Sequence, residues 1–324
     1  MTGCLAIALR RDGGDLRVDL AHRPGPSPAR LLAGRDPAAA AALVPLVFNL
    51  CAVAQGRAAR AALGLPQVGA EEETALRQEH IRDHLHCFAV VWPALFGNGP
   101  DLDLLGHLRA PAAGLRRHLI GGVGAVDLLS PARFEALLLR GETALLRLLG
   151  AIRRRLRPDW GRASLAAPAL GDIQAGLAGA PLAPCETSAL DHVGRAPLVM
   201  ALEAAEGRSL FLRLVARLLD CLRMLDPAAE LLPAAAPLPG LGVAPAVRGV
   251  LGHRADVSGG RVLDYRLLSP TDWNLAPGGI MARVLEALPA AGDLPFLAGL
   301  AVSVLNPCVP TTIAIDGQRI GAHA

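Results

Sequence analysis

Apolar positions along this chain follow two rhythms. A period of two appears near the start, where an apolar run from Cys4 to Leu9 is followed by Arg11-Asp12-Gly13-Gly14-Asp15 and then by alternating Leu16, Val18 and Leu20. That pattern predicts a hairpin over residues 4–20. A second strand pair is expected around Gly259-Gly260, with Val262, Tyr265 and Leu267 leading to Ser269-Pro270. Elsewhere the spacing is three to four, as in Phe134, Leu137, Leu138, Leu145 and Leu148, and it predicts helices over 71–96, 102–119, 131–157 and 205–225. A loop with Pro24, Pro26 and Pro28 leads into Ala29 to Gly34. Asp36-Pro37 then opens an alanine-rich helix, with Asp as the cap and Pro in the first turn. A second helix is expected to continue through Cys51 to Leu63, ended by Gly64 and Pro66. The expected architecture is mainly α (α+β), a helical core with small peripheral β-sheets. Residues 1–324 read as a single domain, with the proline-rich loop 231–245 as the only candidate internal boundary.

The two longest charge-free stretches, Pro37 to Gly56 and Leu294 to Ile315, each hold a cysteine, Cys51 and Cys308. Both stretches reach membrane-spanning length. Pro45, Asn49 and Gln55 interrupt the first, and Pro295, Pro307 and Pro310 the second, so both read as buried core and no membrane insertion is expected. Two thiols presented to a shared apolar interior suggest a two-thiolate site for a soft or borderline metal. Their separation is far from that of a zinc finger or a redox CxxC pair, so the fold must assemble the chemistry. Taken alone, the same residues also suit the bland reading, because a buried cysteine packs as a small hydrophobe. Cys4, Cys185 and Cys221 are read that way.

Composition narrows the options. The 324 residues are 52% hydrophobic but only 3% aromatic, so the core must be built from Leu, Ala and Val. The chain has no lysine, which removes Schiff-base chemistry and a P-loop. A net charge of +3 with dispersed arginines does not argue for nucleic acid. The densest basic run, Arg153-Arg154-Arg155-Leu156-Arg157, reads as the solvated end of a helix. Six cysteines without close pairing and an N-terminus without an export signal lead us to expect a reducing cytoplasm.

In order along the chain, several segments together resemble the large subunit of [NiFe] hydrogenases, and most of all its degenerate accessory relatives, the HupK-type hydrogenase expression/formation proteins. Ala29 to Pro37 resembles the stretch before the first cysteine motif of that family. Cys51-Ala52-Val53-Ala54-Gln55 resembles the second half of R-x-C-G-x-C-x-x-x-H. Ile81-Arg82-Asp83-His84-Leu85-His86-Cys87-Phe88 is similar to the helix written S-H-x-x-H-F, and Glu186-Thr187-Ser188-Ala189-Leu190 to E-x-G-x-L. Ala246-Val247-Arg248-Gly249 resembles A-P-R-G, Ser269 to Asn274 resembles V-P-[ST]-T-W-N, and Asn306-Pro307-Cys308 resembles D-P-C-x-x-C.

The departures decide what the resemblance implies. Phe48 and Thr311 stand where the family has two further cysteines; Ala29 replaces a glutamate, and Gln55 and Ala314 replace histidines. In hydrogenases four thiolates hold nickel, and two of them bridge to an iron carrying cyanide and carbon monoxide. With two of those cysteines left, a four-sulfur nickel site cannot form, and no nickel is expected. What survives suits the iron half. Cys51 matches a bridging ligand, Arg248 the arginine near one cyanide, and Pro270-Thr271 the turn near the other. Cys308 matches a terminal nickel ligand. An arginine fork and backbone N–H groups are strong donors to an anionic cyanide nitrogen. His84 and Glu186 are candidates for supporting contacts, against plainer roles as a packing histidine and a buried hydrogen-bond partner or helix residue. Trp273 and Asn274 read as structural, and His86 with Cys87 is not expected to form a separate metal site.

The resemblance therefore implies a maturation factor, not an enzyme, that scaffolds assembly or transfer of an Fe(CN)2CO unit. Its partners would be Hyp-type maturation chaperones and the immature hydrogenase large subunit. The alternative is a metal-free interaction module that mimics the large subunit, and a redox enzyme is disfavoured by the missing cysteines.

Overall fold

The computed structural model describes residues 3–323 apart from 26, 49, 68 and 232, and the side chains of 321–323 are not described. Pro26 and Asn49, used above, lie outside the described residues.

The first hairpin forms as expected, with β1 (Cys4–Asp12) antiparallel to β2 (Asp15–Arg23). Leu5, Ile7 and Leu9 point inward, and Cys4, expected in the core, is exposed because it lies on the opposite face of the pleat. The C-terminal strands complete this sheet. With β3 (Ala235–Leu238), β4 (Leu241–Ala246), β5 (Gly249–Ser258) and β6 (Arg261–Leu268) numbered in between, β7 (Thr311–Ile315) and β8 (Gln318–His323) follow, giving the order β2-β1-β7-β8. β1 and β7 are parallel, so the two ends of the chain are neighbours and the segment after Cys308 is tied down.

The second sheet has the order β3-β4-β5-β6, all antiparallel. Its last hairpin turns at Gly259-Gly260, as the pattern indicated. The proline-rich segment read as a connection is the hairpin β3-β4. Pro237 sits in β3, at the sheet edge, Pro239 in the turn after it, and Pro245 near the end of β4, where the ladder tolerates a missing N–H.

Helices make up most of the rest of the chain. Asp36 caps α1 (Pro37–Val47) through Ala39 N, and α2 (Ala52–Ala62) follows. Cys51 is not inside a helix as expected: it sits between α1 and α2 with φ 55°, a left-handed conformation unusual for a side chain with a Cβ. α3 (Ala70–His86) runs into a π-helical turn at Cys87–Val91 and a short helix Trp92–Ala94. The predicted 102–119 and 131–157 helices are each broken. Pro111 interrupts the first, and Gly141, in the left-handed region, separates Pro131–Arg140 from Ala144–Arg155. In the same way Gly207 ends Pro197–Glu206 before Ser209 caps a new helix.

α4 (Leu190–Val193) is a single turn, α5 (Leu210–Leu225) is buried almost all round, and α6 (Leu294–Leu305) is buried except at Pro295. The basic run ends Ala144–Arg155 but is not simply solvated: Arg153 pairs with Glu135 and Glu206 and covers Phe211, and Arg155 lies over Phe96 and Phe296. No described helix is long and apolar enough to cross a membrane.

Candidate metal-cargo site

Three elements of distant sequence meet around Cys51. The Cys51 backbone turn leaves α2 without a side-chain cap of its own, and Glu79 of α3 supplies one. Its carboxylate accepts from Val53 N at 2.7 Å and Ala54 N at 3.3 Å. Four and eight residues on from Glu79 come Asp83 and Cys87, a spacing that places all three on one helix face. The π turn that starts at Cys87 adds a residue per turn at this point, a device common at functional sites.

Arg248 enters from the two-residue turn joining β4 and β5. Its Nη2 donates to Asp83 Oδ1, its Nη1 lies 3.9 Å from Cys51 Sγ, and its buried Nε has no partner among the described residues. Gly249 permits this turn: it takes φ 125°, and a Cβ there would stand 2.2 Å from Thr187 Oγ1. Asp83 also accepts from Arg217 Nη2 at 3.0 Å and Asn306 Nδ2 at 2.7 Å. Asn306, left-handed at φ 50°, ends α6 and directs the chain to Cys308. There Thr271 Oγ1 donates to Cys308 Sγ at 3.0 Å and accepts from Cys308 N at 2.8 Å. Thr271 is held at the start of the turn Pro270–Asn274, which Ser269 and Asp272 cap reciprocally and where Pro270 fixes φ.

The electrostatics follow from burial and from the two arginines. Burial opposes the charge on Asp83, but Arg248 and Arg217 outweigh it and hold the carboxyl well below the usual carboxylate range. Burial likewise opposes the Arg248 charge, and Asp83 with the thiols of Cys51, Cys308 and Cys87 keeps it protonated. Burial pushes the Cys51 thiol far up despite Arg248, and Glu79, Asp83 and Cys308 add to the rise. Burial also moves Cys87 up to about 11. The Cys51 thiol is therefore neutral at ordinary pH until a soft cation displaces the proton.

Cys51, Cys308, Arg248, Pro270 and Thr271 thus converge on one locality. His84 and Glu186 do not touch the thiols. His84 Nε2 lies 2.8 Å from Asp220 Oδ2, and burial moves the ring down to about 4. Glu186 forms a bidentate pair with Arg213 at 2.8 and 2.9 Å, in an irregular segment rather than a helix. That pair anchors Thr187, which Asn274 clasps through both amide atoms and which accepts from Val250 N, so Glu186 supports the Arg248 turn from a distance. Trp273 is fully buried, as a packing residue should be. Gln55, in place of the family histidine, bonds His253 Nε2 at 2.7 Å. His86 is exposed and Cys87 buried, so the two diverge. Glu79 and Arg217 were not singled out from the sequence, and Asp83, Cys87 and Asn306 were named there within motifs but given no role at this site. The 79-83-87 spacing was the available signal, and nothing local marked Arg217.

This arrangement of two thiols, a buried arginine and a threonine turn sits on the fold of a [NiFe] hydrogenase large subunit. The structure aligns with the [NiFeSe] hydrogenase of Desulfovibrio vulgaris Hildenborough (a variant form) at a TM-score of 0.60 and 16% identity, over 92% of this chain and 94% of that one. In sequence, the chain is 37% identical over 327 residues to the hydrogenase expression/formation protein HupK of Rhodobacter capsulatus, covering 100% of both. It is 30% identical over 352 residues to HupK of Azotobacter vinelandii, covering 97% of this chain and 99% of the relative. A scan against protein-family models matched none. The chain belongs to the HupK-type hydrogenase expression/formation proteins, a family of factors for hydrogenase maturation.

Proposed function

We propose that this protein is a cytoplasmic, non-enzymatic scaffold that receives and passes on an iron dicyanide–carbonyl unit during hydrogenase maturation. The observation that carries the reading is Arg248, buried beside Cys51 with its Nε unpaired and Nη1 facing the thiol. A buried N–H without an acceptor costs about 1–3 kcal/mol, and an anionic cyanide nitrogen is an acceptor of the right reach and charge. Cys51 and Cys308 supply soft ligands. The Thr271 hydroxyl, which now donates to Cys308, can turn to the cargo once that sulfur is metal-bound. Phe48 and Thr311 at the remaining family cysteine positions leave nickel without its sulfur set. The cargo's donor would be a small Hyp-type chaperone and its acceptor an immature large subunit, with no turnover by the protein itself.

Infrared spectroscopy of protein purified from hydrogenase-expressing cells tests this. Cyanide and carbonyl stretches are expected in the wild type and absent in Cys51→Ser. A wild type without such bands, together with a Cys51→Ser protein that still supports maturation, would favour the metal-free interaction module.

A further inference from the structure

On the face of α3 next to the one that carries Glu79 and Asp83, four titratable side chains are packed out of water. Asp220 of α5 is fully buried; His80 and His84 of α3 and His192 of α4 surround it, each with a side chain no more than 2% exposed. His84 Nε2 is 2.8 Å from Asp220 Oδ2 and His80 Nδ1 3.2 Å from the same oxygen. His192 Nδ1 is 3.1 Å from Asp220 Oδ1, yet the two are not aligned as a hydrogen bond, and both atoms remain without a partner. His80 Nε2, His84 Nδ1 and His192 Nε2 are also buried and unpaired. So many orphans in one cluster are unusual in a native core, where buried polar atoms find partners.

A cation resolves the arrangement. His80, His192 and Asp220 can each offer one ligand atom, all within 4.8 Å of one another. Tetrahedral ligands with bonds of roughly 2.0–2.1 Å lie about 3.3 Å apart, close to the 3.1 Å between His192 Nδ1 and Asp220 Oδ1. A close, misaligned nitrogen and oxygen are what two lone pairs aimed at a common third atom produce. His84 would keep its hydrogen bond to the ligating carboxylate and fix its orientation, as outer partners of metal ligands do. A cavity of about 10 Å³ beside His80 and His192, lined also by Leu76, Arg223, Met224, Leu231 and Pro245, has room for one water as a fourth ligand.

We propose that His80, His192 and Asp220 form a second metal site, distinct from the thiols, that takes a single zinc-class divalent ion. Its ligands are nitrogen and oxygen, the set that suits a borderline cation and not a soft one. The ion joins α3, α4 and α5, three helices brought together from residues far apart in the chain. α3 then serves both centres: Glu79, Asp83 and Cys87 face the thiols, and His80 and His84 face the ion. The ion would hold in place the helix that positions Asp83 and hence Arg248.

The test is cobalt substitution in a Cys51→Ser/Cys308→Ser double variant, so that failure of the thiol reading cannot affect the outcome. One Co2+ per chain is expected, with visible ligand-field bands of a nitrogen/oxygen site, no sulfur charge-transfer band, and displacement by Zn2+. His192→Gln in the same background should lose that ion while retaining its helical circular dichroism. Should His192→Gln fail to fold, the double variant still decides, because chelation of its ion must lower its thermal midpoint. No stoichiometric Co2+, a sulfur-to-cobalt band, an unchanged spectrum in His192→Gln, or a midpoint indifferent to chelator would each overturn the proposal. The last result would mean that a water fills the cluster.

Discussion

Asp83→Asn separates the electrostatic frame of the thiol site from its metal chemistry. The substitution keeps volume and shape but removes the one charge shared by two guanidinium groups, Arg217 at 2% and Arg248 at 7% exposure. Among the described residues Asp83 is the one hydrogen-bond partner of Arg217. Removing one member of a buried ion pair costs about 3–5 kcal/mol, because the cations left behind are desolvated and unpaired. Urea unfolding at neutral pH should show a loss in that range. Adding Arg217→Met to Asp83→Asn should restore at least about 1 kcal/mol, since one stranded charge has gone. The pH dependence has a fixed sign. The folded Asp83 carboxyl lies below its ordinary value of 3.8, so its contribution is present above that value and lost as pH falls further. Wild type and Asp83→Asn should therefore converge in acid. A loss under about 1 kcal/mol, the scale of a solvent-exposed pair, or an additive double variant would refute the reasoning.

Gly242→Ala should be costly, because a Cβ at Gly242 would lie 2.0 Å from Ala58 O and 2.5 Å from Ala62 N of α2. A loss of about 2 kcal/mol or more in chemical unfolding is expected, and a neutral result would mean that α2 is free to shift. His253, which burial moves down to about 3, should make stability fall as pH drops below 6.5, by about 1.4 kcal/mol per unit down to its folded value. His253→Gln should flatten that slope in unfolding titrations between pH 7 and 5. Because burial keeps the Cys51 thiol protonated, loading the iron unit should release a proton. Binding should then tighten with rising pH in wild type and lose that dependence in Cys51→Ser, measured by infrared band intensity against pH.

Local chemistry in the sequence determined much of this protein. The Asp36-Pro37 start, the Gly13-Gly14 and Gly259-Gly260 turns and the end of the strand pair at Ser269-Pro270 each depend on residues within a few positions, and each formed where the chain indicated. The ordered motifs also marked Cys51, Arg248, Thr271 and Cys308, which the fold brings into one locality. Breaks set by Pro111, Gly141 and Gly207 interrupt apolar periods that run on regardless, so periodicity alone merged helices there. Cys51 leaves the helix because its position between α1 and α2 is decided by Glu79, whose carboxylate caps α2 from 25 residues away.

Tertiary structure alone decided the rest. Asp83 draws Arg217, Arg248 and Asn306 from three distant segments, and Asp220 gathers histidines from α3 and α4. Such groupings leave no trace in spacing, because a buried carboxylate selects its partners by position in space and by charge, wherever in the chain they lie.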